Sequence, residues 1–275
     1  LFAGAIPISD WGVVGTTLQV NGQGIIEVTA DSPEVLRQEN LGTNWAWAVS
    51  YADEVAPNLL AGESGKVIRQ VLGPVSSTAY ALDIGTQYGF PDLPVPIVLG
   101  ASIQNWGTRI QFKDENQSDP LPRTFKFGAA LKIFEDKYNR FQLVGDATAF
   151  IDKLREDDEE GLNEVVEQRY KENNPENKTK EQIRSDIEAE RGVGIHALRY
   201  GNMAKSIGAE YWFANILALR VGYKIDPFMS VVDQIDHVTG GIGIRYLNYQ
   251  LDYAMVPGGG PNNKRLNTFA LLIRF

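Results

Sequence analysis

The charged residues best placed to do chemistry sit among small residues, most of them in the last third of the chain. Glu210 and Arg220 are opposite charges on neighbouring segments joined by a short connection, and so are Arg245 and Asp252. Asp83, Asp146, Lys224 and Arg274 occupy the same phase of their own segments. Carboxylates and guanidiniums that meet in this way form charge-assisted hydrogen bonds. Two readings follow from them. One is an interior ion-pair network that satisfies charges which cannot face an apolar medium. The other is a polar conduit, or a latch that moves when a ligand binds.

No arrangement for nucleophilic or metal catalysis accompanies these charges. The chain has 2 histidines, His196 and His237, and neither has a third ligand at metal spacing. With 0 cysteines there is no disulfide framework and no thiolate site. Neither a nucleophile elbow nor a P-loop occurs. The acidic run Glu156–Glu160 lacks the spaced Asp/Asn-Gly pattern of a calcium loop and reads as a solvated face. No helix follows Gly258–Gly260, so that run is a loop rather than a phosphate cradle. The expectation is a non-enzymatic chain without metal or cofactor. A net charge of −9 argues against a nucleic-acid partner.

The elements that position the charges are strands. Ser206–Phe275 reads as five consecutive antiparallel strands, because apolar and small-or-charged residues alternate with a period of two. One face collects Ile207, Leu219, Val221, Ile242, Ile244, Leu251 and Leu271, with Tyr211, Phe213, Tyr253, Phe269 and Phe275 near strand ends. The other carries glycine, alanine and the charges, with Trp212 also in that phase. A soluble sandwich wets its second face with long polar side chains, whereas a membrane barrel turns the apolar face to lipid and girdles it with aromatics. Trp45 and Trp47, two apart in the alternating segment Asn44–Tyr51, read as interfacial anchors of the same kind. The expected fold is therefore all-β, an antiparallel transmembrane up-and-down barrel. A soluble antiparallel barrel or sandwich is the alternative.

Taken in order, Leu1–Pro7 carries no clear signal, and Trp11–Val20 is the first readable strand. Thr29–Asn40 reads as a polar loop with a short helical turn after Ser32-Pro33. About 12 strands are visible, and no run of about 18 apolar residues marks a transmembrane helix. Residues 152–204 form a charged insertion in the single domain 1–275. Asp152–Arg191 holds 14 acidic and 8 basic residues. Leu162, Val165, Val166, Arg169 and Tyr170 at helical spacing, and Thr179 with Gln182 as a capping box, predict two short amphipathic helices. Their apolar stripes are expected to cover the barrel rim or lumen. If Phe275 ends at the periplasm, short turns fall there and long loops fall outside.

The stretches LGASIQNWGTRIQF (Leu99–Phe112) and DPLPRTFKFGAAL (Asp119–Leu131) resemble the PorV/PorQ family of outer-membrane proteins. SIGAEYWFANILALRVGYK (Ser206–Lys224), GGIGIRYLNYQLDYAMVPGGG (Gly240–Gly260), ALDIGTQYG (Ala81–Gly89) and the terminal Phe275 resemble it as well. That family is similar in fold to FadL-type barrels of about 14 strands with an N-terminal hatch. The resemblance implies that about two strands and the hatch precede Leu1. It also implies a bacterial outer-membrane location and partnership with a type IX-like protein-secretion or surface-attachment apparatus. Outer-membrane lipid would surround the barrel, and other outer-membrane or secreted proteins would meet its external loops. Within those loops Phe228, Met229, Val231 and Val232 are the candidate contact. FadL-like transport of a hydrophobic ligand through the lumen is the alternative, as is a structural role in a surface assembly.

Overall fold

The structure, a computed structural model, describes residues 1–22, 24–29, 35–40, 42–112, 118–150, 156–172, 177–191, 203–225, 237–256 and 266–275. The first strands are β1 (Phe2–Ile8), β2 (Gly12–Gly22), β3 (Ile25–Thr29), β4 (Val35–Asn40), β5 (Thr43–Ala56), β6 (Leu59–Leu72) and β7 (Val75–Phe90). Next come β8 (Ile97–Gly107), β9 (Arg109–Ile110), β10 (Asp119–Pro120), β11 (Thr124–Glu135) and β12 (Arg140–Phe150). Helices α1 (Glu156–Glu172) and α2 (Lys180–Arg191) follow. The chain closes with β13 (Ala204–Phe213), β14 (Leu217–Ile225), β15 (Val238–Tyr246), β16 (Tyr249–Val256) and β17 (Leu266–Ile273).

All strands except β3, β4, β9 and β10 belong to one sheet of 13 strands laid side by side in chain order. Pairing is antiparallel from β1 through β2 to β5 and β6, and again from β12 to β17. Turns 9–11, 57–58, 91–96, 136–139, 214–216 and 247–248 follow one sense of strand, and the long connections follow the other, with 73–74 the short exception.

Two stretches differ from the sequence reading. The sheet has 13 strands rather than about 12, because Phe2–Ile8 pairs residue for residue with β2, Phe2 opposite Leu18 and Ile8 opposite Gly12. No charged residue interrupts that segment, so no alternation announced it. The supposed loop Thr29–Asn40 holds strand β4, paired with β3, instead of a helical turn. Ile25, Ile26, Val28 and Val35 favour extended backbone. Ser32 and Pro33 lie outside the described residues.

The described residues form two compact units, the first comprising Leu1–Thr86, Ser102–Phe125 and Phe150–Ala197. The second comprises Gln87–Ala101, Lys126–Ala149 and Leu198–Phe275. In the first, the connection after β8 folds onto the sheet. Ile110 of β9 and Leu121, the residue after β10, pack on Ala79 and Ala81 of β7, with Ile68 and Phe112 beside them. Small side chains on β7 leave the space that this loop fills. Gly107 sets its departure, since a Cβ there would run into the Tyr80 carbonyl and the Ala81 backbone.

Helices α1 and α2 bury their stripes against each other. Leu162 (0 % exposed), Val166, Ile183 and Ile187 form a shared core with Val165 packed on it. This corrects the expectation that those stripes cover a barrel rim or lumen. Each stripe is narrow, Leu162, Val165 and Val166 on α1 and Ile183 and Ile187 on α2, and one partner helix suffices to cover it. The capping box forms as read, Thr179 N–H donating to Gln182 Oε1 (2.9 Å) and Gln182 N–H to Thr179 Oγ1 (3.3 Å). Across the pair, Arg169 forks onto Glu190 (3.1 and 3.2 Å) and Lys180 binds Glu167. No helix among the described residues is long and apolar enough to cross a membrane, which says nothing of the strands.

Leu162→Ala is expected to cost the helical pair about 2–4 kcal/mol through the cavity it opens. The check is proteolysis within 156–191, which should accelerate while the sheet keeps its melting behaviour. The pair should also respond to acid. The Lys180 ammonium, bonded to Glu167, holds that carboxyl below the ordinary glutamate range. A depressed carboxylate contributes stability above its unfolded pKa and loses it as pH falls through the lower folded value. Helical signal is therefore expected to be flat from neutral pH to about pH 5 and to decline only below the ordinary glutamate range of about 4.3. A decline that begins near pH 6 would contradict the Lys180–Glu167 contact.

Candidate functional site

Strands β12 to β16 carry an unbroken chain of polar side chains on one face. Alternation places Arg140 and Gln142 of β12 beside Trp212 and Glu210 of β13, and Glu210 lies opposite Arg220 of β14. Glu210 accepts from Arg220 Nε (2.7 Å), Gln142 Nε2 (2.9 Å) and Arg140 Nη2 (3.2 Å). Arg220 Nη1 donates to Asp252 Oδ1 (2.6 Å), and Gln250 Nε2 donates to Asp252 Oδ2 (2.7 Å). Gln250 Oε1 accepts from Arg245 Nε (3.0 Å) and Nη2 (2.8 Å). Donors and acceptors alternate along the chain, so every carboxylate oxygen in it is engaged.

Trp212 lies at its centre, 2 % exposed, with Arg245 4.1 Å and Arg140 and Arg220 each 5.7 Å from the ring centroid. Cations over an indole face are attracted by its quadrupole, more strongly where water is excluded. The glycines of β15 allow the longest reach. Arg220 and Asp252 stand on β14 and β16, about 10 Å apart across the intervening strand, and Gly243 lies opposite Asp252. A Cβ at Gly243 would collide with Asp252 Oδ1 and lie 3.0 Å from Arg220 Nη1. Gly241 and Gly243, on this face of β15, thus clear a path for the ion pair over the sheet. Beside it, a cavity of about 390 Å³ is lined by Asp146, Ser206, Glu210, Arg220, Lys224 and Thr239, among others.

Of the charges singled out from the sequence, Glu210, Arg220, Asp252 and Arg245 join one network. The pairing of Arg245 with Asp252 does not form. Register sets Arg245 opposite Gln250 and Asp252 opposite Gly243, so Gln250 bridges the two. Asp146 and Lys224 line the cavity, outside the network's hydrogen bonds. Asp146 is exposed, and the Lys224 carbonyl is 2.6 Å from His237 Nδ1. Arg274 is exposed one position beyond the β16–β17 ladder. Asp83 belongs to a separate group in the first unit, accepting from Lys66 Nζ (2.7 Å) and from the Asn105 backbone N–H (2.8 Å). Asn105 Nδ2 donates to the Pro122 carbonyl (2.8 Å), which ties the inserted loop to the sheet. Phe228, Met229, Val231, Val232 and His196 lie outside the described residues. Arg140, Gln142 and Gln250 were missed although they share the phase of the charges, because uncharged amides and strand-end residues carry no sequence signal of pairing; Lys66, in the middle of β6, was missed because no alternation of faces was read for that segment.

The opposite face of the same strands is exposed and apolar, as with Ile207 (63 %), Val221 (58 %) and Leu251 (53 %). Among the proposed aromatic anchors, Trp47, Phe213, Phe269 and Phe275 are exposed, and Trp45, Tyr211 and Tyr253 are half-buried. Trp47 Nε1 donates to Thr16 Oγ1 (2.9 Å), and Tyr253 stacks against Phe269 at 5.1 Å. No group of three or more His, Asp or Glu among the described residues could hold a metal ion. No protein-family model and no curated protein matches the chain.

Proposed function

We propose that this chain is a non-enzymatic outer-membrane β-barrel, and that it partners a type IX-like secretion or surface-attachment apparatus through its long loops. The observation that carries the membrane reading is the inverted polarity of β13–β16. Their water-avoiding side chains are exposed, while Gln250 is buried and Glu210, Arg220 and Asp252 are enclosed in ion pairs. In water that arrangement forfeits about 25 cal/mol for each Å² of apolar surface left wet. In lipid it is the arrangement of lowest free energy. Aromatics at strand ends such as Phe213, Tyr246 and Tyr249 support an interfacial girdle.

Each unit has its polar face occupied, the first by the loop carrying Ile110 and Leu121, the second by the Arg140–Arg245 network. An occupied face favours protein contacts through loops over passage of a solute. The cavity lined by Glu210 and Lys224 is the feature that favours the second reading, transport of a hydrophobic small molecule. Purification from native membranes in mild detergent, with mass spectrometry of what remains bound, separates the two. Co-purifying surface or secreted proteins support the first, and a lone protein holding lipid or fatty acid supports the second. Recovery in the soluble fraction without detergent ends the membrane reading.

A further inference from the structure

The network on β12–β16 ends in arginine on both sides. Counting Arg274, four guanidiniums exceed the two carboxylates of the network, Glu210 and Asp252; Glu135, itself paired with Lys132, is the further carboxylate that acts on Arg140. The excess gathers where the strands meet turns 136–139, 214–216 and 247–248. Arg245 has an amide oxygen and the Trp212 ring as partners; Arg274 and Arg140 act on it as cations, and Glu210 and Asp252, which do not bond to it, act on it as anions. Among the described residues no carboxylate lies within ion-pairing range of Arg245 or Arg274. Arg140 Nε is buried and makes no hydrogen bond there. Like charges held together on one face of a sheet, with Arg245 bonded to no carboxylate, favour an added anion.

We propose that Arg245, Arg274 and Arg140 form a binding site for a small oxyanion, a phosphate or a carboxylate group. Arginine suits this task because its planar fork matches two oxygens at once. The Trp212 indole and Gln250 hold the Arg245 guanidinium in place before the anion arrives, so little side-chain freedom is lost on binding. The site stands on the geometry of one set of paired strands and does not rest on the membrane reading.

The test is calorimetric titration of the folded full chain in an uncharged detergent at low ionic strength. Inorganic phosphate and acetate are the probes, with chloride at matched ionic strength as reference. Saturable binding of phosphate or acetate beyond the chloride response is expected. Arg245→Gln should weaken it at least about ten-fold, the loss of one charge-assisted contact. Arg274→Gln should weaken it less, and Lys137→Gln, which alters a nearby turn, should leave it unchanged. Should Arg245→Gln fail to fold, Arg245→Lys keeps the charge, removes the fork and should also weaken binding. Equal responses to chloride, or wild-type affinity in a folded Arg245 variant, would overturn the proposal.

Discussion

Ile242→Arg is expected to prevent or strongly impair assembly in a bilayer while leaving a merely soluble protein almost untouched. Ile242 is the middle residue of β15, 47 % exposed on the apolar face, between Leu219 and Tyr253 of the adjoining strands. An arginine facing lipid near the midplane of a barrel costs about 2–4 kcal/mol. The same change at an exposed site in water falls within about 0.5 kcal/mol of neutral. The two outcomes differ by more than the error of a denaturant titration in vesicles. Leu271→Arg on β17 should behave like Ile242→Arg, and Arg274→Leu, on the other face, should be mild. Equal tolerance at Leu271 and Arg274 would refute the assignment of faces.

The second large effect is expected at Arg220, the one cation bonded to both carboxylates of the network. Arg220→Met would leave Asp252 with Gln250 alone and Glu210 with Arg140 and Gln142. Removing one member of a buried pair costs about 3–5 kcal/mol. Here the Arg220 side chain is 32 % exposed and the carboxylates 16 % and 25 %, so solvent reduces the cost to about 2–3 kcal/mol. Arg220→Lys should recover little, because an ammonium cannot span β15 and bond to both partners. The triple change that also makes Glu210 and Asp252 apolar should regain most of the loss, since no charge is then stranded. Gly243→Ala attacks the same pair sterically, and about 1–3 kcal/mol is expected from the displacement of Asp252. Unfolding midpoints of these variants decide the matter. A cost at Arg220 that the triple change deepens would show that the charges, not their balance, hold these strands.

Much of this was determined by sequence alone, and the reason is periodicity. A period of two sorted Ile207, Val221 and Leu271 from Glu210, Arg220 and Asp252 without any knowledge of pairing, because alternation is a property of the single strand. The α1 and α2 helices and the Thr179–Gln182 cap were legible for the same reason, since i, i+3 and i, i+4 spacing is local. Tertiary structure decided which charges meet. Arg245 bonds to Gln250 instead of Asp252 because register, set by the turn at 247–248, puts the two residues opposite. Arg220 reaches Asp252 across a whole strand because Gly243 clears the way. The stripes of α1 and α2 found each other, and Ile110 and Leu121 found Ala79 and Ala81. An apolar stripe states only that something must cover it, and the covering partner is fixed by the path of the chain in space.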